Sequence, residues 1–237
     1  MNKFWNWIKN GLEDNPTILL YGAIGGNDTW FDDDVTPKQF KAELAACNGA
    51  DITVKINSPG GDVFAAAEIY TALKEYKGGV EVEVDALAAS SASVIAMAGD
   101  IVSISPAGML MIHNPVTIAI GDADEMKTAA HTLDEIKESI INAYELKTKL
   151  PRDKISKLMD AETWFNARKA QEMGFVDEIL FTEDDAEKSA DDALIFSRAA
   201  ITNCFLDKIK AKKQIKGVDA THFYKRLNLI SLKGMNK

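Results

Sequence analysis

Residues 51–76 read DITVKINSPGGDVFAAAEIYTALKEY, and three patterns follow one another within them. Ile52 to Ile56 is a short apolar run with β-branched residues, which marks a strand. Pro59, Gly60 and Gly61 stop it at a turn. The following DVFAAAEIYTALKEY carries apolar residues at helical spacing, through Phe64, Ala67, Ile69 and Leu73, and reads as a helix. Strand, glycine turn and helix in direct succession form the repeating element of an α/β fold.

The same alternation continues outward. Thr17 to Gly22 (TILLYG) reads as a buried strand, and residues 36–47 (TPKQFKAELAAC) as a helix with Thr36 as N-cap and Pro37 in the first position. Val80 to Val84 is a strand, Ser90 to Ala98 a short helix, and IVSISPAGMLMIHNP a strand, a turn and a strand. Asp122 to Lys149 is a long helix, Pro151 opens another, and AQEMGFVDEIL brings a helix end at Gly174 and a last strand. Alternating elements without an internal repeat predict an α/β fold with mainly parallel pairing.

A chain of 237 residues holds one α/β domain with appendages or two small domains. Its hydrophobic share of 46% and charged share of 27% suit a soluble globular protein with a real core. No apolar run reaches the roughly 18 residues of a membrane span. The start, MNKFWNWIKNGLEDN, lacks the apolar stretch of a signal peptide. Cys47 and Cys204 are too few and too distant for a disulfide framework or a metal site. These features predict a cytoplasmic protein with free thiols and no membrane association.

Charge is unevenly distributed. The net charge is −9, yet residues 198–237 carry +8. Just before them, residues 183–192 (EDDAEKSADD) hold six acids against one lysine, the composition of a solvated linker. The expected organisation is an N-terminal extension at 1–16, a domain at 17–182, an acidic linker at 183–197 and a basic tail at 198–237. The tail mixes positive charge with Phe205, Leu206, Phe223 and Tyr224, which suits docking on an acidic protein surface. Nucleic acid is not expected as a partner, because no nucleic-acid module is visible.

Two stretches carry candidate chemistry. The glycines of NSPGG leave the backbone unobstructed, giving either a plain tight turn or an N–H aimed at an anion. Residues 88–93 (AASSAS) place Ser90, Ser91 and Ser93 at a helix start, where backbone N–H groups lack partners. A serine there is either a cap or a nucleophile, and a nucleophile needs a base. His222 lies in the tail, and His131 lies within the long helix beside Asp134 and Glu135. His113 ends the apolar MLMIH strand and is followed by Asn-Pro, a placement that serves either catalysis or structure.

Taken in series, NSPGG, AAS before an apolar helix, MIHNP and the A-x-E-x-G-x-V-D pattern near the end resemble the proteolytic subunit of the Clp protease, ClpP. The resemblance runs from about Thr17 to Leu180. Residues 29–44 (TWFDDDVTPKQFKAEL) and 162–167 (ETWFNA) further resemble the phage and prophage head maturation branch. The implied fold is the ClpP/crotonase type, stacked ββα units with a projecting long helix. Ala98 and Gly99 lie at the family offsets from Ser90, so the resemblance implies that Ser90 is the nucleophile and His113 the base. Gly61 and Ser91 would give backbone N–H groups to the oxyanion hole, and Ser93 would bond to a carbonyl one turn back. The family's third residue is an Asp. Its ungapped counterpart is Glu162, with Asp160 as the alternative acid.

Two departures stand out. Ala86 replaces a customary glycine, and Glu162 replaces the aspartate. The implied activity is serine endopeptidase chemistry without metal or organic cofactor. Capsid or scaffold proteins are the implied substrates, in the host cytoplasm or the procapsid, and a homo-oligomeric ring, a heptamer or stacked heptamers, is the implied assembly. The rivals are a housekeeping ClpP served by an ATPase unfoldase, a non-enzymatic assembly scaffold, and a crotonase-type acyl-CoA enzyme, in which MIHNP would have no role.

Overall fold

The computed structural model describes residues 5–8, 15–25 and 37–181. The expected cap Thr36, the acidic linker, the basic tail and His222 lie outside the described residues.

Fourteen elements follow in order among the described residues: β1 (Trp5–Ile8), β2 (Thr17–Tyr21), α1 (Pro37–Ala45), β3 (Ile52–Ser58), α2 (Val63–Lys74), β4 (Val80–Ala89), α3 (Ser91–Ala96), β5 (Ile101–Ile104), β6 (Met109–Ile112), α4 (Ala123–Thr148), α5 (Arg152–Asp160), β7 (Thr163–Asn166), α6 (Ala167–Glu172) and β8 (Glu178–Ile179). The sheet runs β1-β2-β3-β4-β5-β8, with β6 and β7 branching from β4. Pairing is parallel except for β1 on β2 and β7 on β6. This is the expected α/β fold with mainly parallel pairing. One refinement concerns the stretch expected as an N-terminal extension: within it, β1 adds an antiparallel edge strand to the sheet.

β4 is the hinge of the architecture. It runs to Ala89, past the expected end at Val84. Its first half, Glu81 to Val84, pairs with β5, and its last three residues, Leu87 to Ala89, pair with β6. The sheet therefore divides at Asp85 and Ala86. Ala86 is not among the positive-φ residues, so the missing glycine costs nothing there.

In β3 and the first half of β4 successive side chains alternate between buried and more exposed, as a sheet with one packed face requires. Val54, Ile56, Val82 and Val84 enter the core. The opposite face carries Lys55 paired to Glu83 at 2.7 Å. Beside them the Tyr21 hydroxyl donates to Asp85, and its phenol is pushed up to about 12 by burial and by that carboxylate. Helix α2 presents Ala65, Ala66, Ile69, Ala72 and Leu73 to the core, whereas Phe64 is 66% exposed and Ala67 is exposed too. The buried stripe is thus rotated from the expected one, because the Asp62 N-cap, accepting from Ala65 N–H at 2.8 Å, fixes where the first turn begins.

The long helix α4 begins with a full capping box, Asp122 with Glu125, and ends at Lys149 in the left-handed conformation. Its buried residues, Ile141, Ala143, Tyr144 and Thr148, all lie near its C-terminal end. The preceding turns project, and His131 is exposed on them. Arg152 at the start of α5 braces this helix through Glu138 and Glu145, at 2.6 and 2.8 Å.

Phe165 on β7 is 1% exposed and stacks at a tilt on Phe175, with ring centroids 4.9 Å apart. Phe165→Ala is expected to destabilise the fold by about 3–5 kcal/mol, the usual cost of emptying an aromatic core site. Urea unfolding followed by circular dichroism checks this.

Candidate active site

The passage from β4 to α3 is a single residue. Ser90 has φ 56° and ψ −129°, outside the ordinary regions for a residue with a Cβ. A strand-to-helix turn this sharp lifts the side chain clear of both elements. Such a conformation costs on the order of 1–3 kcal/mol and persists only where its surroundings hold it. Here Ser90 N–H donates to Met111 C=O at 3.0 Å, and Ser90 C=O accepts from Ser93 N–H at 3.0 Å and Ser93 Oγ at 2.5 Å. Gly60, at φ +89°, closes the other side. A Cβ on Gly60 would lie 2.6 Å from Ala89 O and 2.8 Å from Ser90 Cβ.

Ser90 does not act as a helix cap. It occupies the N-cap position without a side-chain capping bond, and its Oγ lies 2.7 Å from His113 Nε2. His113 is delivered by β6, which runs beside the end of β4 and stops one residue short of it. The first pair of candidate residues is therefore joined by the strand that flanks the turn.

Gly61 and Ser91 also meet. Gly61 N–H donates to Ser91 Oγ at 2.8 Å. Ser93 bonds back to the carbonyl one turn earlier, as expected, and its Oγ lies 2.7 Å from the Tyr144 hydroxyl. Ser93 has one hydroxyl proton and gives it to Ser90 C=O, so the Tyr144 phenol is the donor to Ser93. Tyr144 is fully buried, which pushes its pKa far up, with the bond to Ser93 opposing.

Hydrogen bonding distinguishes the two candidate acids. β7 pairs antiparallel with β6, and Ile112 faces Thr163. Glu162 stands one residue before this pair, on the turn that enters β7, with its N–H donating to Met159 C=O at 3.1 Å. Glu162 is half-buried and has φ 46°. Asp160 is engaged elsewhere, accepting from Lys137 Nζ at 2.6 Å and from Asn114 Nδ2 at 2.9 Å. Lys137 first, and Asn114 second, hold its carboxyl below the ordinary value.

Sequence reasoning missed Tyr144, Lys137 and the close approach of Gly60. A tyrosine on the buried stripe of an otherwise polar helix was the available signal, since a buried phenol needs a partner.

Comparison with known proteins agrees with this architecture. The Clp protease family model matches residues 7–183. A Bacteroides fragilis protein named ATP-dependent Clp protease proteolytic subunit is 32% identical over 154 residues, 62% of this chain and 74% of the relative. A Chlamydia pneumoniae protein named ATP-dependent Clp protease proteolytic subunit 1 is 34% identical over 141 residues, 58% of this chain and 74% of the relative. A solved point variant of ClpP1 from Listeria monocytogenes superposes with a TM-score of 0.61 at 26% identity, covering 71% of this chain and 92% of that one. The chain belongs to the Clp protease family and is a serine endopeptidase of that type.

The Asp160 carboxyl is expected to titrate below the ordinary 3.8, in a carbon-detected NMR titration. Because its folded pKa is depressed, its stabilising effect is present above the unfolded pKa and is lost as pH falls through the folded one. Lys137→Met should move the titration back toward the ordinary value.

Proposed function

We propose that the protein hydrolyses peptide bonds through Ser90, His113 and Glu162, with Gly61 and Ser91 supplying oxyanion N–H groups. The observation that carries this reading is Ser90 Oγ held 2.7 Å from His113 Nε2 on a strained turn. Ser90 Oγ attacks the substrate carbonyl carbon while His113 Nε2 takes its proton. The carbonyl oxygen becomes an oxyanion that accepts from the two backbone N–H groups. Collapse breaks the C–N bond, and the proton on His113 passes to the leaving amine. Water then repeats the sequence on the acyl-enzyme and returns Ser90 to its hydroxyl form. In this reading Glu162 would serve as the acceptor for His113 Nδ1–H and steady the imidazolium. Glu is one methylene longer than Asp, so its backbone has to stand about 1 Å or more farther back for the same contact.

Partners follow from the relatives. Those compared above are proteolytic subunits named as ATP-dependent, which favours a subunit that assembles as a homo-oligomeric ring and receives protein substrates from an ATPase. Capsid and scaffold processing rests on residues 29–44 and 162–167, of which 29–36 lie outside the described residues. The two readings separate in one comparison. An ATPase-coupled subunit degrades a folded test protein only when the unfoldase and ATP are added. A maturation protease cuts capsid or scaffold protein at fixed positions without them. Light scattering that finds a fully active monomer would overturn the ring.

A fluorophosphonate probe is expected to label the purified chain at Ser90. Ser90→Ala should abolish labelling and peptide hydrolysis with the circular dichroism spectrum unchanged, a loss of several powers of ten. Glu162→Gln should lower turnover by orders of magnitude with KM little altered, and Asp160→Asn should do much less. The reverse ranking would move the acid to Asp160. Two near-normal variants would leave Ser90 and His113 working as a pair.

A further inference from the structure

The bond between Gly61 N–H and Ser91 Oγ occupies a donor that catalysis requires. Both neighbours of Gly61 are tied to one backbone residue: Gly60 C=O accepts from Ile24 N–H, and Asp62 N–H donates to Ile24 C=O, each at 3.0 Å. Gly61 N–H consequently faces away from Ile24 and toward the turn at Ser90, where it meets Ser91 Oγ at 2.8 Å. This stretch of backbone sits tightly in place. A Cβ on Gly61 would fall 2.0 Å from Ile24 O, and one on Gly60 would fall 2.9 Å from Ser91 N. Ser91 itself is 4% exposed.

An N–H group has one strong direction of donation. While Ser91 Oγ accepts along it, a substrate oxygen cannot. With the backbone pinned on both sides, the contact is released only by rotating the Ser91 side chain. A water molecule in the same place would leave to solvent, whereas this hydroxyl is tethered to the residue whose own N–H is the second donor.

We propose that the Ser91 hydroxyl is a built-in competitor for the Gly61 N–H, so that every substrate must displace it before the oxyanion hole is complete. The inference rests on the reading of Ser90 as nucleophile and of Gly61 and Ser91 as oxyanion donors. It assigns the Ser91 side chain a restraining role that the backbone role does not require. The occupied donor keeps the resting site satisfied, at the cost of part of the oxyanion stabilisation. A substrate that anchors well elsewhere in the site supplies the energy to turn the hydroxyl aside, so the restraint discriminates against short, weakly held peptides.

The test compares wild type, Ser91→Ala and Ser91→Gly by the second-order rate of fluorophosphonate labelling at Ser90, counting only titratable sites. The phosphonyl oxygen of the probe draws on the same two donors as a substrate oxyanion. Both variants are expected to label about three- to tenfold faster, the scale of one neutral hydrogen bond removed. They should also gain more on a short peptide substrate than on a long one. Equal or slower labelling in both variants overturns the competitor role. A loss of tenfold or more would show instead that the hydroxyl donates to the oxyanion. If wild type is not labelled at Ser90 at all, the catalytic assignment fails and this inference fails with it. Labelling of wild type at Ser90 with unchanged variant rates removes this inference alone.

Discussion

The handover from β4 to α3 within one residue is the constraint on which the molecule is organised. A strand and a helix joined so abruptly force Ser90 to φ 56°, which a residue with a side chain adopts only under compulsion. The compulsion comes from several directions at once. Met111 holds the Ser90 N–H, Ser93 holds its carbonyl twice, and Gly60 presses in where a Cβ would not fit. None of these contacts is strong by itself. Together they leave the turn no relaxed alternative, and the serine hydroxyl is presented as a result of that tension rather than of any capping role.

Division of the sheet follows from the same strand. Because β4 extends past Asp85, it offers a second stretch of edge to β6 after β5 has used the first. β6 then carries His113 to the side of Ser90, and β7 lies antiparallel on β6, with Thr163 opposite Ile112. Ser90 and His113, far apart in sequence, are brought together by the pairing of the strands that flank the turn. The side of β3 and β4 away from the core carries Lys55, Glu83 and Asp85, so the polar half of the alternation is committed to ion pairing rather than to a second layer of apolar packing.

Much of this was legible in the chain. Alternation of apolar runs with helical spacing placed most strands and helices, and the resemblance to the Clp protease family, through Ala98 and Gly99, implied one serine among three. What escaped depended on distance in space. The stripe on α2 was misjudged because its alanines suit either face, and only the Asp62 cap fixes the phase, leaving Phe64 outside. Edge strand β1 is only four residues long, too short to mark a strand by pattern, and its identity lies in pairing with β2. Ungapped alignment favoured Glu162 over Asp160, but it said nothing about the capture of Asp160 by Lys137, which comes from a distant turn of α4. The fate of Gly61 N–H was equally hidden, being set by Ile24 on one side and Ser91 on the other.

The line from Tyr144 through Ser93 to the Ser90 carbonyl has a fixed polarity. Each hydroxyl in it owns one proton, and the last acceptor is a carbonyl that owns none, so the sense of donation cannot reverse. Burial keeps the phenol protonated far into alkali. The footing of the nucleophile thus carries no charge of its own. The turn that carries Ser90 is anchored by this line to the root of the projecting helix.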